Sequence, residues 1–362
     1  GADLYVNPEG ERHAIVALTP SRIESTAAAA PFLNHELQHV HDMVDPESIP
    51  RLLAAGTIEV APLAYMRGRA QPVDTQVLTP TGWQRFGDLR VGDLVIGSNG
   101  QPTPVIGVHP QGIKPVYRVT SQDGASTLAC GEHLWTVRTK DDKRRGRWRT
   151  LQTSEMIGRL RSLHTHRFEL PVVDPVQFVE RDVPMHPYAL GLLLGDGCLT
   201  TRTTPSFTTA DPDLAESLER VLAPLGVEAS CKGGHDHTLR RPGVGRGGVG
   251  TANPVTAVLR DIGLAGTTSA TKFVPEVYKL NASWVRFAVL QGLLDTDGGP
   301  VVQRGRTCRV QYSTTSDQLR DDVIFLVRSL GGVAYTRTRL AEGRPPGRAK
   351  GRDVPYRHDA HV

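Results

Sequence analysis

ALGLLLGDG (189–197) and LQGLLDTDG (290–298) share the skeleton x-x-G-L-L-x-x-D-G, about a hundred residues apart in a chain of 362. Each closes a longer apolar run, MHPYALGLLLGDGCLT (185–200) and WVRFAVLQGLLDTDGGP (284–300), that reads as a buried helix ending at Asp-Gly. The surroundings repeat as well. SFTTA and RVQYSTTS follow as strands, DPDLAESLERVLAPLG and SDQLRDDVIFLVRSLGG as amphipathic helices, and VEASC and VAYTRTRL as further strands. Two similar half-units imply a pseudo-twofold body, and duplex DNA is itself a pseudo-twofold ligand.

Gly191 and Gly292 fall within the helices, where glycine costs about 1 kcal/mol against alanine. Their place there implies two backbones in close approach. Helices packed at these glycines would deliver Asp196 and Asp297 side by side at their C-terminal ends. Two such carboxylates can hold a divalent metal that activates water and stabilises the leaving oxygen of a phosphodiester. One Asp-Gly alone reads as a turn; two in register on glycine-bearing helices read as a site.

These residues resemble the LAGLIDADG homing endonucleases, whose signature helices end in the metal-binding aspartate. The second copy is close to the signature. The first has Leu194 where the family often carries an earlier aspartate. TKFVPEVY (271–278), with Lys272 three residues before Pro275, resembles the lysine-proline block that precedes the family's second helix. The resemblance implies a DOD-type endonuclease domain over residues 183–362, of pseudo-twofold αββαββα architecture. It implies a monomer, Mg2+ on Asp196 and Asp297, and double-stranded DNA at the host-gene insertion site as partner. Basic strands would contact phosphates. The family tends to use a lysine near the active site, for which Lys232 is a candidate.

MRGRAQPVDTQVLTPTGW (66–83) changes character at its middle. Up to Arg69 it reads as the end of a strand and turn. From Ala70 to about residue 137 short alternating strands succeed one another: TQVLTP, DLVIG, TPVIGV, PVYRVT and TLACGEHLWTVRT, with a further helix-like stretch at 153–163. DTQVLTPTGWQRFGDLRVGDLVIG resembles the opening of the Hint domain of inteins, an all-β, horseshoe-like unit, here over residues 70–170. GASTLACGEHLWTV (124–137) resembles that family's T-x-x-H block, with Cys130 in place of the threonine and His133 kept. An intein usually begins with Cys or Ser, whose side chain attacks the preceding carbonyl. Ala70 has no such nucleophile. The class 3 inteins dispense with it and carry a tryptophan two residues after the block histidine, where Trp135 stands. On that reading His133 polarises the scissile Arg69–Ala70 peptide. The chain stops at RHDAHV without a terminal His-Asn or a late cysteine, so splicing is expected to be incomplete.

Residues 1–69, convincingly from about 31, resemble part of a PhoH-like ATPase, a small helix-and-strand host segment. Leu33, Leu37, Val40 and Val44 have helical spacing, Gly56 caps a second helix, and TIEVAPLAYM reads as a strand. No G-x-x-x-x-G-K-[ST] sequence occurs, so no phosphate loop is expected. The whole is thus a multidomain α+β chain.

HELQH (35–39) matches the zinc-protease pattern H-E-x-x-H, with His35 and His39 as ligands and Glu36 as base. A zinc metallopeptidase is therefore one alternative, although no third ligand is evident and Glu59 falls in a strand. A decayed insert without enzymatic role is the other. Composition excludes little more. Apolar residues make up 39%, no run approaches a membrane span, and no signal segment is evident, so a cytoplasmic protein with no membrane partner is expected. Four cysteines lack metal-ligand spacing. The net charge of +4 is uneven: TKDDKRRGRWRT (139–150) is a basic cluster, and the last thirty residues hold seven Lys/Arg against three Asp/Glu. Either stripe suits a polyanion partner.

Overall fold

The computed structural model describes residues 2–6, 12–18, 58–62, 71–200, 204–243, 253–302, 309–349 and 352–362. In the N-terminal stretch β1 (Ala2–Val6) pairs antiparallel with β2 (Arg12–Leu18), which pairs in parallel with β3 (Ile58–Pro62). β3 is the strand expected from TIEVAPLAYM and contains Glu59. The helices expected before it, the HELQH stretch, and Arg69 and Ala70 lie outside the described residues.

From Gln71 the chain folds into short antiparallel hairpins, as alternating sequence broken by turn residues requires. β4 (Gln76–Thr79) pairs with β5 (Gly82–Arg85), β6 (Leu94–Ile96) with β7 (Pro102–Pro104), and β8 (Val116–Thr120) with β9 (Ser126–Cys130). β10 (Leu134–Val137) is followed by α1 (Lys140–Arg144) and pairs with β11 (Arg149–Gln152). The stretch expected to be helical over 153–163 is helical only in α2 (Thr153–Met156). Gly158 takes φ +73° and ends it, and a small hairpin of β12 (Arg161–Ser162) and β13 (Thr165–His166) turns at Leu163, φ +55°.

Beyond residue 183 the elements are longer and share one large apolar core. α3 (Pro187–Asp196) leads into β14 (Gly197–Cys198), β15 (Ser206–Thr208), α4 (Pro212–Leu222), β16 (Glu228–Gly233) and β17 (Asp236–Arg240). These strands form one antiparallel sheet in the order β14-β15-β17-β16. α5 (Pro254–Asp261) and the single turn α6 (Glu276–Lys279) precede α7 (Ser283–Asp297), which continues directly into β18 (Gly298–Val301). Then come β19 (Arg309–Tyr312), α8 (Asp317–Ser329), β20 (Thr338–Arg339), the hairpin β21 (Gly347–Ala349) and β22 (Arg352–Val354), and β23 (Ala360–His361). β18 pairs with β19 and β20 with β23, while a bridge from Thr314 to His361 links the two pairs. The order β18-β19-β23-β20 thus follows that of the first sheet. The strand expected from VAYTRTRL is only two residues long, because its partner returns twenty residues later rather than through a tight hairpin.

A strap at residues 174–181 ties the small hairpins to the larger body. Asp174 N–H donates to Ser98 O (3.0 Å) and Gln177 N–H to Gly100 O (2.7 Å), while Val176 N–H donates to Ser329 O (2.8 Å) and Arg181 N–H to Asn281 Oδ1 (3.0 Å). Gly100, at φ +73°, lets the strap pass: a Cβ there would lie 2.8 Å from Asp174 O. Arg286 is fully buried beneath it, with no carboxylate partner among the described residues. Its guanidinium is satisfied by the carbonyls of Asn281, Ser329 and Val176 and by Ser329 Oγ (2.6 Å), and burial pulls its pKa down to about 10. Phe325 of α8 meets Phe178 of the strap (centroids 6.5 Å) and Trp83 of β5 (6.3 Å, edge-on), and Arg328 pairs with Asp123 at 2.8 Å.

Candidate active site

The two Asp-Gly helices begin differently and end alike. α3 starts at Pro187, where a proline costs no hydrogen bond, and its first turn is capped by His186 Nδ1 accepting from Tyr188 N–H (3.3 Å). α7 starts after Asn281, whose Oδ1 accepts from Ala282 N–H (2.7 Å). The helices cross at their glycines. A Cβ on Gly191 would overlap Val289 O and lie 2.9 Å from Gly292 Cα, and one on Gly292 would lie 2.7 Å from Leu192 N. One turn on, Gly195 faces Thr296, whose hydroxyl donates back to Gly292 O and Leu293 O, both at 3.0 Å. Tyr188 crosses the seam and donates to Asp295 Oδ2 (2.8 Å). Leu194, at the position matching Asp295, is buried in the core instead.

Asp196 and Asp297 terminate the two helices, close enough that each carboxylate feels the same cation. That cation is Lys272. Its side chain is buried, and its ammonium donates to three carbonyls at the end of α3: Leu193 (3.2 Å), Gly195 (2.8 Å) and Gly197 (2.8 Å). A positive charge at a helix C-terminus is favourable, and here it engages the last-turn carbonyls, that of Leu193 also accepting from Gly197 N–H. Burial pulls the Lys272 pKa down to about 8 against the opposing pull of Asp297 and Asp196. Burial pushes Asp297 up to about 6, helped by the negative charge of Asp196 and resisted by Lys272. Asp196 is raised too, again by burial with Lys272 opposing. No described residue donates a hydrogen bond to either carboxylate. Beside them, Gly298 pairs with Tyr312 in one sheet and Gly197 with Phe207 in the other. The buried Tyr312 hydroxyl feels the charge of Asp297, and its pKa is raised by burial and by that charge.

Lys232, by contrast, is exposed on β16. Lys272 is visible in the sequence only as a landmark of its block. Its reach across to the end of α3 depends on a contact spanning more than seventy residues, which no local pattern encodes.

A second cluster forms on the hairpins. Cys130 ends β9 fully buried, and His133 N–H donates to its carbonyl (3.2 Å). Trp135 on β10 meets the His133 ring edge-on, centroids 4.9 Å apart, and its Nε1 donates to Thr153 Oγ1 (2.9 Å). Thr153 N–H in turn donates to His133 O (2.9 Å), so α2 fixes both aromatic residues. Glu132, hydrogen-bonded first by the Cys130 thiol and also by Lys114 (3.4 Å), is held below the usual carboxylate range.

Residues 284–357 match the LAGLIDADG-like domain family. Over 296 residues, 76% of its length, the chain is 30% identical to a replicative DNA helicase DnaB of Mycobacterium intracellulare, of which it covers 45%. Over 39 residues it is 62% identical to a PhoH-like protein of Mycobacterium bovis, covering 11% of each. A crystal structure of the MchDnaB-1 intein matches 28% of this chain and 73% of its own at 29% identity, with a TM-score of 0.21. The chain thus carries a match to the LAGLIDADG-like domain family and similarity to DnaB and PhoH-like proteins. It spans less than half the length of the helicase it matches.

The Asp196–Asp297 pair fits a divalent cation by its donor chemistry. Two hard oxygen donors lie in a partly buried setting, receive no hydrogen bonds from described residues, and repel one another. Lys272 already has all three protons engaged. Its charge offsets part of that repulsion. Among the described residues no cluster of three or more His, Cys, Asp or Glu could hold a metal, and Cys130, Cys198 and Cys231 are free thiols. No helix among the described residues is long and apolar enough to cross a membrane.

Proposed function

We propose that this chain is a DNA homing endonuclease that hydrolyses both strands of duplex DNA at the site where its own coding sequence interrupts a PhoH-like host. The observation that carries the reading is the joining of Asp196 and Asp297 at a glycine-to-glycine helix crossing, with the Lys272 charge beside both. On this reading residues 183–362 form a pseudo-twofold nuclease, residues 70–170 the splicing region and residues 1–69 part of the host. The similar strand order of the two sheets supports the first of these.

Asp196 and Asp297 would hold Mg2+, which when bound supplies a polarised water and charge neutralisation at the leaving oxygen. The chain's own contribution is electrostatic and positional. Lys272 favours the ionised form of both aspartates and holds the Leu193, Gly195 and Gly197 carbonyls in place. With its protons fully committed it acts as a positioning residue rather than a proton donor. The helix crossing fixes the separation of the two carboxylates, which sets how the two scissile phosphates must approach.

For the splicing region, the pairing of His133 with Trp135 supports a class 3 mechanism, in which Ala70 needs no nucleophile. His133 would donate to the departing amide nitrogen of the Arg69–Ala70 bond. Cys130 is too deeply buried in the hairpin to serve as the attacking thiol. Cys130→Ser is therefore expected to leave the Arg69–Ala70 bond as intact as before, which a denaturing gel will show; junction cleavage that vanishes with this change would make Cys130 the nucleophile.

The test of the nuclease is a plasmid carrying the uninterrupted host gene, incubated with the protein and Mg2+. A single linear product, absent with the interrupted gene, is expected. A folded protein that leaves the plasmid supercoiled overturns the reading in favour of an insert with no enzymatic role.

A further inference from the structure

Residues 138–169 carry ten Lys/Arg against four Asp/Glu, a net of +6, so the remainder of the chain is negative by two. The largest share of the chain's basic character therefore lies in one short stretch outside both the carboxylate pair and the His133–Trp135 cluster, ahead of the net +4 of the last thirty residues. That stretch is folded. Asp142 is buried and binds Arg149 Nε (2.8 Å), Thr139 Oγ1 (2.7 Å) and Arg147 Nε (2.5 Å), and the Arg149 hydrogen bond foremost holds its carboxyl far below the usual range. This locks α1 onto the start of β11. Glu169 closes the other end by pairing with Arg138 (2.9 Å) and Lys143 (3.3 Å), and Arg138 in turn lies over the exposed Trp148 ring at 4.4 Å.

Two of the four carboxylates are thus engaged in holding the arm together, and a third, Asp141, pairs with Arg144. Lys140, Arg145, Arg159, Arg161 and Arg167 are left exposed, with no ion-pair partner among the described residues. Like charges on one stretch repel, and the Asp141 carboxylate, which feels Arg145 but is paired with Arg144, does not offset all five. A regular polyanion would. The arm leads straight into the strap that is hydrogen-bonded to the nuclease body, so a ligand gripped by one is held in fixed relation to the other.

We infer that residues 138–169 are a second DNA-contact surface, gripping the phosphates of duplex outside the segment that is cut. The inference rests on the nuclease reading for the identity of the polyanion and is tested apart from it. Lys140, Arg145, Arg159, Arg161 and Arg167 are changed together to alanine, and binding is measured by anisotropy on a 60-bp duplex centred on the rejoined host codons and on its central 20 bp. Both proteins are also assayed for cutting at saturating DNA. Each phosphate contact contributes about 0.9 to the slope of log K against log salt. The variant should therefore lose about 4.5 from that slope and bind the 60-bp duplex at least ~10-fold more weakly, with the 20-bp affinity unchanged. A companion protein with Lys140→Arg and the four arginines changed to lysine should bind as wild type does.

Equal binding of the 60-bp duplex by wild type and the alanine variant overturns the inference. So does an equal loss on both lengths, or a loss confined to single-stranded RNA of the same length. A selective loss on the longer duplex by a protein that never cuts upholds the surface and removes the nuclease reading instead.

Discussion

Asp297 shows how chemistry and stability oppose one another within a single side chain. Its pKa of about 6 stands above the ordinary 3.8 because burial and Asp196 disfavour its charge. Between those values the folded protein holds the proton and the unfolded chain does not. Metal-free stability should therefore fall as pH rises from about 4 to about 6 and stay lower above that. Denaturant midpoints across that range in a chelator will show it; a flat profile would mean that the carboxylate is not under strain. Asp297→Asn removes the charge while keeping the shape. It should abolish cutting, leave DNA binding largely intact, and raise metal-free stability at neutral pH by about 1 kcal/mol, a figure discounted because the carboxyl is open to solvent on one side. A variant that cuts normally would show that the site lies elsewhere.

At the scale of elements the helix crossing is the decisive feature. Gly191→Ala would ordinarily gain helix propensity of about 1 kcal/mol. Here the added methyl meets Val289 O and Gly292 Cα, backbone atoms with no rotamer to yield. The sign should reverse, to a destabilisation of about 1–3 kcal/mol. Cutting should fall more steeply than DNA binding, since spreading the helices separates Asp196 from Asp297. Gly→Ala at Gly266, where nothing lies within 4 Å but φ is +90°, is a control that strains the chain without touching the crossing. A Gly191→Ala protein of full stability and activity would refute the close packing.

This crossing was also the most legible part of the chain. The period and repetition of the two apolar runs announce the helices, and glycine against its own propensity announces the contact. What the sequence withholds depends on long-range contacts. Lys272 sits in a short block whose spacing says nothing of α3, and Lys232 is as good a lysine by composition alone. The stretch 153–163 has helical composition, yet Gly158 in a left-handed turn divides it. The last strands could not be paired by pattern, because β20 and β23 are two residues each and meet across an intervening hairpin.

For the whole molecule, the hairpins and the larger C-terminal body meet at Phe325, Phe178, Trp83 and the Arg328–Asp123 pair. Phe325→Ala should cost about 2 kcal/mol at this half-buried site, toward the low side of aromatic truncations. Its effect should be to uncouple the two bodies: calorimetry should resolve two transitions where the parent shows closer coupling, and a protease should cut the strap at residues 174–181 faster. An unchanged thermogram and digestion rate would show that the strap's hydrogen bonds alone hold the parts together.

The two sheets, alike in strand order, differ in how each is closed, and the difference sets an order of assembly. In the first, β16 and β17 are joined by a tight turn, so the outer strands form from neighbours in sequence at small entropic cost. In the second, β20 waits for β23 across twenty residues that include a hairpin of their own. The first half can therefore reach its final form early and offer α3 as a finished surface, while α7 docks against it before its own sheet is complete. Local contacts favour rapid formation and distant ones delay it. Early protection from hydrogen exchange should accordingly concentrate in β15 to β17, with the Thr314–His361 bridge among the last contacts to close.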